Sequence, residues 1–257
     1  MKIAVVALMI ILGVTTNARA QDKEPGEFFF SWGYNGDRYA RSDMHFQQSD
    51  LGNDFTLHGV HASDEKGWTD LFHHSLTVPE YNVRLGYFFN ARWGIELAID
   101  HIKWVVDQDQ QVRITGTLGG APVDRTTTLT TDVLRYKLNN GANPVFINVI
   151  RRMAIAGEPG HTGNVSLLVK AGAGFAVPHT ENAVFDQPNK AGFQWFHGWD
   201  TDVAVAARIN LFKRVYLELE DKLLYAGYRD ININHGIARH SVKGNEMSFS
   251  FGLGLPN

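Results

Sequence analysis

Large apolar residues alternate one by one with small or charged residues along much of this chain. Met247, Phe249, Phe251, Leu253 and Leu255 fall on one side of an extended segment, with Glu246, Ser248, Ser250, Gly252 and Gly254 on the other. Trp199, Thr201, Val203, Val205, Ala207, Ile209 and Leu211 likewise oppose Asp200, Asp202, Ala204, Ala206, Arg208 and Asn210. The same pattern sets Tyr81, Val83, Leu85, Tyr87 and Phe89 against Asn82, Arg84, Gly86, Phe88 and Asn90, and Phe28, Phe30, Trp32 and Tyr34 against Phe29, Ser31, Gly33 and Asn35. A period of two is the periodicity of a β-strand.

The pattern predicts eight strands over 27–36, 79–90, 93–106, 144–154, 164–177, 198–212, 214–228 and 244–255. Most are longer than the roughly 5 or 6 residues of an average strand, and match the roughly 9 to 11 that a tilted strand needs to cross a bilayer. One face is large and apolar with aromatic ends, and the other is small or charged. That polarity fits a barrel with its greasy face turned to lipid. Val83, Leu85, Val203, Val205, Phe249, Phe251 and Leu253 are assigned to lipid. Asp221 falls on the lipid side of its strand, which predicts a bulge there or a position near the membrane surface.

The connections alternate strictly in length. Short ones lie near 90–92, 155–163 and 213, and long ones over 37–78, 107–143, 178–197 and 229–243. Short periplasmic turns and long extracellular loops have this layout, and an even strand number puts both termini in the periplasm. Within the loops, Val112–Leu118 and Val123–Leu129 flank Gly119-Gly120-Ala121-Pro122, a hairpin signal, so the third and fourth strands are expected to continue above the membrane. Phe55–Val60 reads as a further short strand.

The first residues add a destination. Met1-Lys2-Ile3 precedes an apolar run from Ala4 to Val14, and Ala18-Arg19-Ala20 follows. A basic start, a short apolar stretch and a small-x-small end make a secretory signal. The run has about half of the roughly 20 residues a spanning helix requires. Residues 1–20 are therefore read as a cleavable signal, with 21–257 as the mature barrel. The sequence has no cysteine, which excludes lipidation through a thiol and a disulfide framework. Loss of Lys2 and Arg19 takes the formal charge from −3 to −5, and so mildly acidic a chain does not suit a nucleic-acid partner.

Eight alternating segments joined in this rhythm resemble the eight-stranded bacterial outer-membrane barrels of the OmpA and OmpX kind. Those families often end in Phe or Trp, whereas this chain ends Leu255-Pro256-Asn257. The resemblance implies an all-β fold, an eight-stranded antiparallel up-and-down transmembrane β-barrel with long extracellular loops, in the bacterial outer membrane.

Turning the polar face inward encloses Arg84, Lys170, Arg208 and Lys222 with Glu96, Asp100, Asp200, Asp202, Glu218, Glu220 and Glu246. Buried charges must pair, so a plugged lumen of ion pairs is expected, with a narrow channel as the alternative. Nine of the histidines map to the long connections. His58-x-x-His61 is a weak metal candidate, needing a helical turn to converge. His73 and Ser75 are weak catalytic candidates. Their His-x-Ser spacing is reminiscent of outer-membrane lipid A deacylases, which carry the pair late in the chain and add a glutamate. Trp195, Phe196 and Trp199 could form a ligand platform or an interfacial girdle. The favoured reading is a non-enzymatic barrel with no cofactor, partnered by outer-membrane lipids and making surface contacts through its loops. A lipid-modifying enzyme is the alternative from another class, and a soluble barrel around an apolar ligand requires the aromatic face to turn inward.

Overall fold

The computed structural model describes residues 26–64, 80–138, 141–158 and 161–256. Its strands, in chain order, are β1 (Glu27–Tyr39), β2 (Ser42–Gln48), β3 (Asn53–Val60), β4 (Ala62–Ser63), β5 (Tyr81–Phe88), β6 (Trp93–His101), β7 (Trp104–Val106), β8 (Gln110–Leu118) and β9 (Ala121–Leu129). They continue as β10 (Leu134–Leu138), β11 (Pro144–Ala156), β12 (Val165–Ala176), β13 (His179–Val184), β14 (Gln187–Phe193), β15 (Gly198–Asn210), β16 (Val215–Ile233) and β17 (Gly236–Pro256).

Eight of them close a ring. β1 pairs with β5, then β6, β11, β12, β15, β16 and β17 follow in order, and β17 pairs back onto β1. Every contact around the ring is antiparallel. The register fixes the geometry. Starting at Trp32, direct partners run through Val83, Ile99, Val145, Phe175, Trp199 and Gly227 to Ser241. Trp32 itself faces Phe251 on β17, so one circuit shifts the register by the ten residues from Ser241 to Phe251. With strands about 4.8 Å apart rising about 3.3 Å per residue, that shear tilts eight strands by about 40°. The barrel is therefore narrow enough for side chains to fill it.

The outside is apolar. Phe30, Leu85, Ile147, Val149, Leu219, Phe249 and Phe251 are exposed, and Val83 and Val203 share the outward register with half-covered side chains. Aromatic residues bound this belt, with Phe28, Phe89 and Phe212 at one end and Tyr34, Trp199 and Tyr225 at the other. The inside carries the charges. This inversion of the usual globular arrangement is the polarity of a transmembrane barrel. Asp221 breaks the belt without a bulge: its register between Val205 and Met247 is regular, and its carboxylate takes a 2.6 Å hydrogen bond from Asn245. The register shift in β16 falls higher, between Tyr228 and Ile231.

The long connections are not irregular loops. β2, β3, β8 and β9 extend the ring's sheet from the upper part of β17, and β14, β13, β10, β7 and β4 form a second sheet. Met44, Phe46, Phe55, Leu57 and Ile114 of the first meet Trp104, Leu134, Tyr136, Leu138 and Val184 of the second in one apolar core. The result is a β-sandwich head seated on the barrel. The expected continuation of the third and fourth strands gives way to this arrangement. His101, Ile102, Lys103 and Trp104 are all buried, so the alternation of β6 ends and the chain turns into the second sheet. The β8–β9 hairpin pairs instead with β3. Its turn, Gly119-Gly120, has φ of 58° and 78°, the positive values that a two-residue hairpin turn requires and glycine supplies cheaply.

Candidate functional site

Three layers fill the barrel. At the base, Phe29, Phe88, Ile150, Leu168, Ala206 and Tyr216 form an apolar plug. Inward-facing glycines make room for it, since a Cβ on Gly252 would lie 2.1 Å from the Tyr216 ring and one on Gly86 2.2 Å from Phe29. Arg208 stacks over Tyr216 at 3.9 Å and Arg152 over Phe88 at 3.8 Å, so two cations are satisfied by aromatic faces as well as by acids. Arg152 also pairs with Glu27 at 2.5 Å.

The middle layer is ionic. Lys170 reaches Glu96 at 3.0 Å, Glu218 at 2.8 Å and Glu220 at 2.6 Å. Arg84 contacts Asp100 at 2.5 Å, Glu220 at 3.0 Å and Glu246 at 3.6 Å. Lys222 contacts Asp100, and Glu246 at 3.0 Å; Arg208 holds Glu218 at 2.7 Å. The network spans the lumen, because Arg84 and Lys170 come from strands on different sides and meet at Glu220 on a third. Asp200 and Asp202 stand apart from the cations: Asp200 accepts from the Val145 amide at 3.2 Å, and Asp202 from Asn148 at 3.3 Å. All eleven charged residues assigned to the lumen are buried. Such an arrangement can cross-link the wall from within.

The upper layer is the head's core. His240 is its polar centre. Its ring stacks on Trp104 at 4.8 Å and on Tyr228 at 5.1 Å, and its Nε2 lies 3.1 Å from the Tyr136 hydroxyl. Burial pushes the imidazole down to about 3, so it stays neutral. Burial also raises the Tyr136 phenol. Neighbouring Ser241 lines an outer groove of about 330 Å³ with Trp199, Tyr225, Arg229 and Arg239, and His240 borders it too.

Four other histidines lie on the head and pair with acids on neighbouring segments. His45 meets Asp54 at 2.8 Å, His58 meets Asp43 at 3.3 Å, His235 meets Asp50 at 2.7 Å, and His61 meets Asp107. His58 and His61 thus engage different partners and do not converge. His73 and Ser75 lie outside the described residues. Trp195 and Phe196 are 64% and 72% exposed at the rim of the belt, and Phe196 packs on Phe175 at 4.9 Å, which leaves the indole as the free face.

One group escaped the sequence reading. Asp37, Asp64 and Glu80 bring their carboxylates together just above the ionic layer. The alternation of β1 carries on past Asn35 to Asp37, so its inward placement was available from the pattern. The approach of Asp64 and Glu80 was not, since it depends on how the chain returns to the ring.

No family model matches the chain, and no curated protein matches its sequence. Several solved structures are similar. Ail of Yersinia pestis, solved with the heparin analogue sucrose octasulfate, is 11% identical with a TM-score of 0.38, over 90% of this chain and 99% of that one. OprG of Pseudomonas aeruginosa is 10% identical with a TM-score of 0.38, over 91% and 98%. The outer-membrane protease OmpT of Escherichia coli is 8% identical with a TM-score of 0.35, over 95% and 100%. The barrel assignment rests on this chain's own register and polarity.

Proposed function

We propose that this chain spans a bacterial outer membrane, after loss of residues 1–20 and with both termini in the periplasm, and holds a rigid β head outward as a surface for contact with ligands or other cells. The observation that carries the reading is the ionic layer linking Arg84, Lys170 and Lys222 to carboxylates from several strands, beneath a cored head. A barrel so filled is a pedestal. A cored head costs sequence that a plain anchor would not need, and its exposed strands supply a firm binding surface. The β8–β9 hairpin displays Arg113, Asp124, Arg125 and Thr126 to solvent.

Two measurements test this. Purified protein in planar bilayers is expected to show no discrete conductance steps. Cells displaying the protein are expected to attach to matrix or host-cell surfaces more than cells lacking it, with attachment reduced by Arg113→Glu and Arg125→Glu while the barrel still assembles. Equal attachment with and without the protein, or clear channel openings, would overturn the reading.

A further inference from the structure

Asp37 and Glu80 are 3% and 4% exposed. With Asp64 they place one carboxylate oxygen each within 4.8 Å of one another. Among the described residues, no lysine or arginine forms an ion pair with any of the three. Lys103, 23 positions from Glu80 in the chain, gives it a backbone amide at 2.6 Å, but the Lys103 ammonium is buried without a partner. Three carboxylates gathered out of water need protons or a cation to offset their repulsion.

A second observation points to the cation. Asn35 is 4% exposed, and its amide is turned onto the cluster, with Nδ2 3.4 Å from Asp37 Oδ2. Its Oδ1 has no hydrogen-bond partner, and the same holds for Asp37 Oδ1 and Asp64 Oδ1. Two unpartnered oxygens thus belong to the cluster and a third to the amide that reaches it, and turning that amide over puts its carbonyl where Nδ2 meets Asp37. The donor set is oxygen throughout. Calcium binds six to eight oxygens at about 2.4 Å, so ligands on opposite sides of one ion are about 4.8 Å apart.

We propose that Asp37, Asp64 and Glu80, with the amide oxygen of Asn35, form a calcium site at the junction of barrel and head. Water completes the shell, entering past Asp64, the partly exposed member. The ion fastens β1 to two residues 16 positions apart in the chain, Asp64 at the end of the first head segment and Glu80 at the foot of β5.

The test uses the full chain refolded in detergent. Terbium, a calcium substitute excited through nearby tyrosine such as Tyr39, should give sensitised emission that calcium displaces and magnesium displaces poorly. Calcium should raise the thermal midpoint over EDTA. Asp37→Asn and Glu80→Gln should each lower the apparent calcium affinity tenfold or more and abolish the thermal shift. In EDTA both variants should fold at least as stably as the parent, because each relieves repulsion. An unchanged calcium response in the variants overturns the proposal. So does a parent with neither terbium emission nor a calcium shift, the result expected if protons or a reoriented Lys103 neutralise the acids.

Discussion

His240 shows what the head asks of one residue. An imidazole enclosed by Trp104, Tyr136 and Tyr228 cannot charge without losing hydration, and its folded value lies near 3. The ordinary value is about 6.5. The group therefore contributes full stability above about 6.5, and that contribution is lost as pH falls towards 3. Between pH 6.5 and 4.5 the loss approaches about 2–3 kcal/mol. His240→Phe should remove it, so urea midpoints of the variant and parent should converge on acidification; parallel pH profiles would contradict this. Gly252 tests the base in the same way. A side chain there meets the Tyr216 ring, and Gly252→Val should destabilise by about 1–3 kcal/mol through overpacking, read as a lower unfolding temperature on semi-native gels.

At the scale of elements, the charged strands behave as one unit. Lys170→Met removes the cation shared by Glu96, Glu218 and Glu220, leaving Glu218 to Arg208 and Glu220 to Arg84. The expected cost is about 3–5 kcal/mol, the range for leaving buried charges unpaired, measured by urea unfolding in micelles. The exposed pair of Arg113 and Asp124 is expected to show no measurable change on Asp124→Ala, since solvent and salt screen it.

The same strands explain what could be read beforehand. β15 and the lower half of β17 alternate without interruption, because one face meets lipid and the other the lumen along their whole length. Which charges enter the lumen followed from that alternation. Their partners did not, because the tilt brings Lys170 on β12 to Glu96 on β6 and Glu220 on β16. β2 alternates as well, with Met44 and Phe46 buried and His45 half-buried, but it is short and polar at both ends, and its core partners are distant in sequence. β6 ends at His101, short of the 93–106 that the pattern predicts, because Ile102 and Trp104 keep an apolar rhythm while the chain leaves the ring. Within the head, β8, β9 and β3 are legible as strands from the Gly119-Gly120 turn and the Phe55–Val60 segment, but their assembly into two packed sheets is not, because those strands are paired by partners distant in sequence.

The whole molecule is two cores of opposite kind stacked on one axis, an ionic one inside a greasy wall and an apolar one inside a polar head. The wall needs lipid, and the head needs water. A chain without cysteine allows each surface to be probed by single labels. Nitroxides at Leu85→Cys, Val205→Cys and Phe251→Cys, with Thr126→Cys as the solvent reference, would be placed in liposomes and tested for collision with oxygen and with a water-soluble nickel complex. The first three should collide freely with oxygen and scarcely with nickel, and Thr126 should do the reverse. Nickel reaching Leu85, Val205 and Phe251 as readily as Thr126 would mean that the apolar belt does not lie in hydrocarbon.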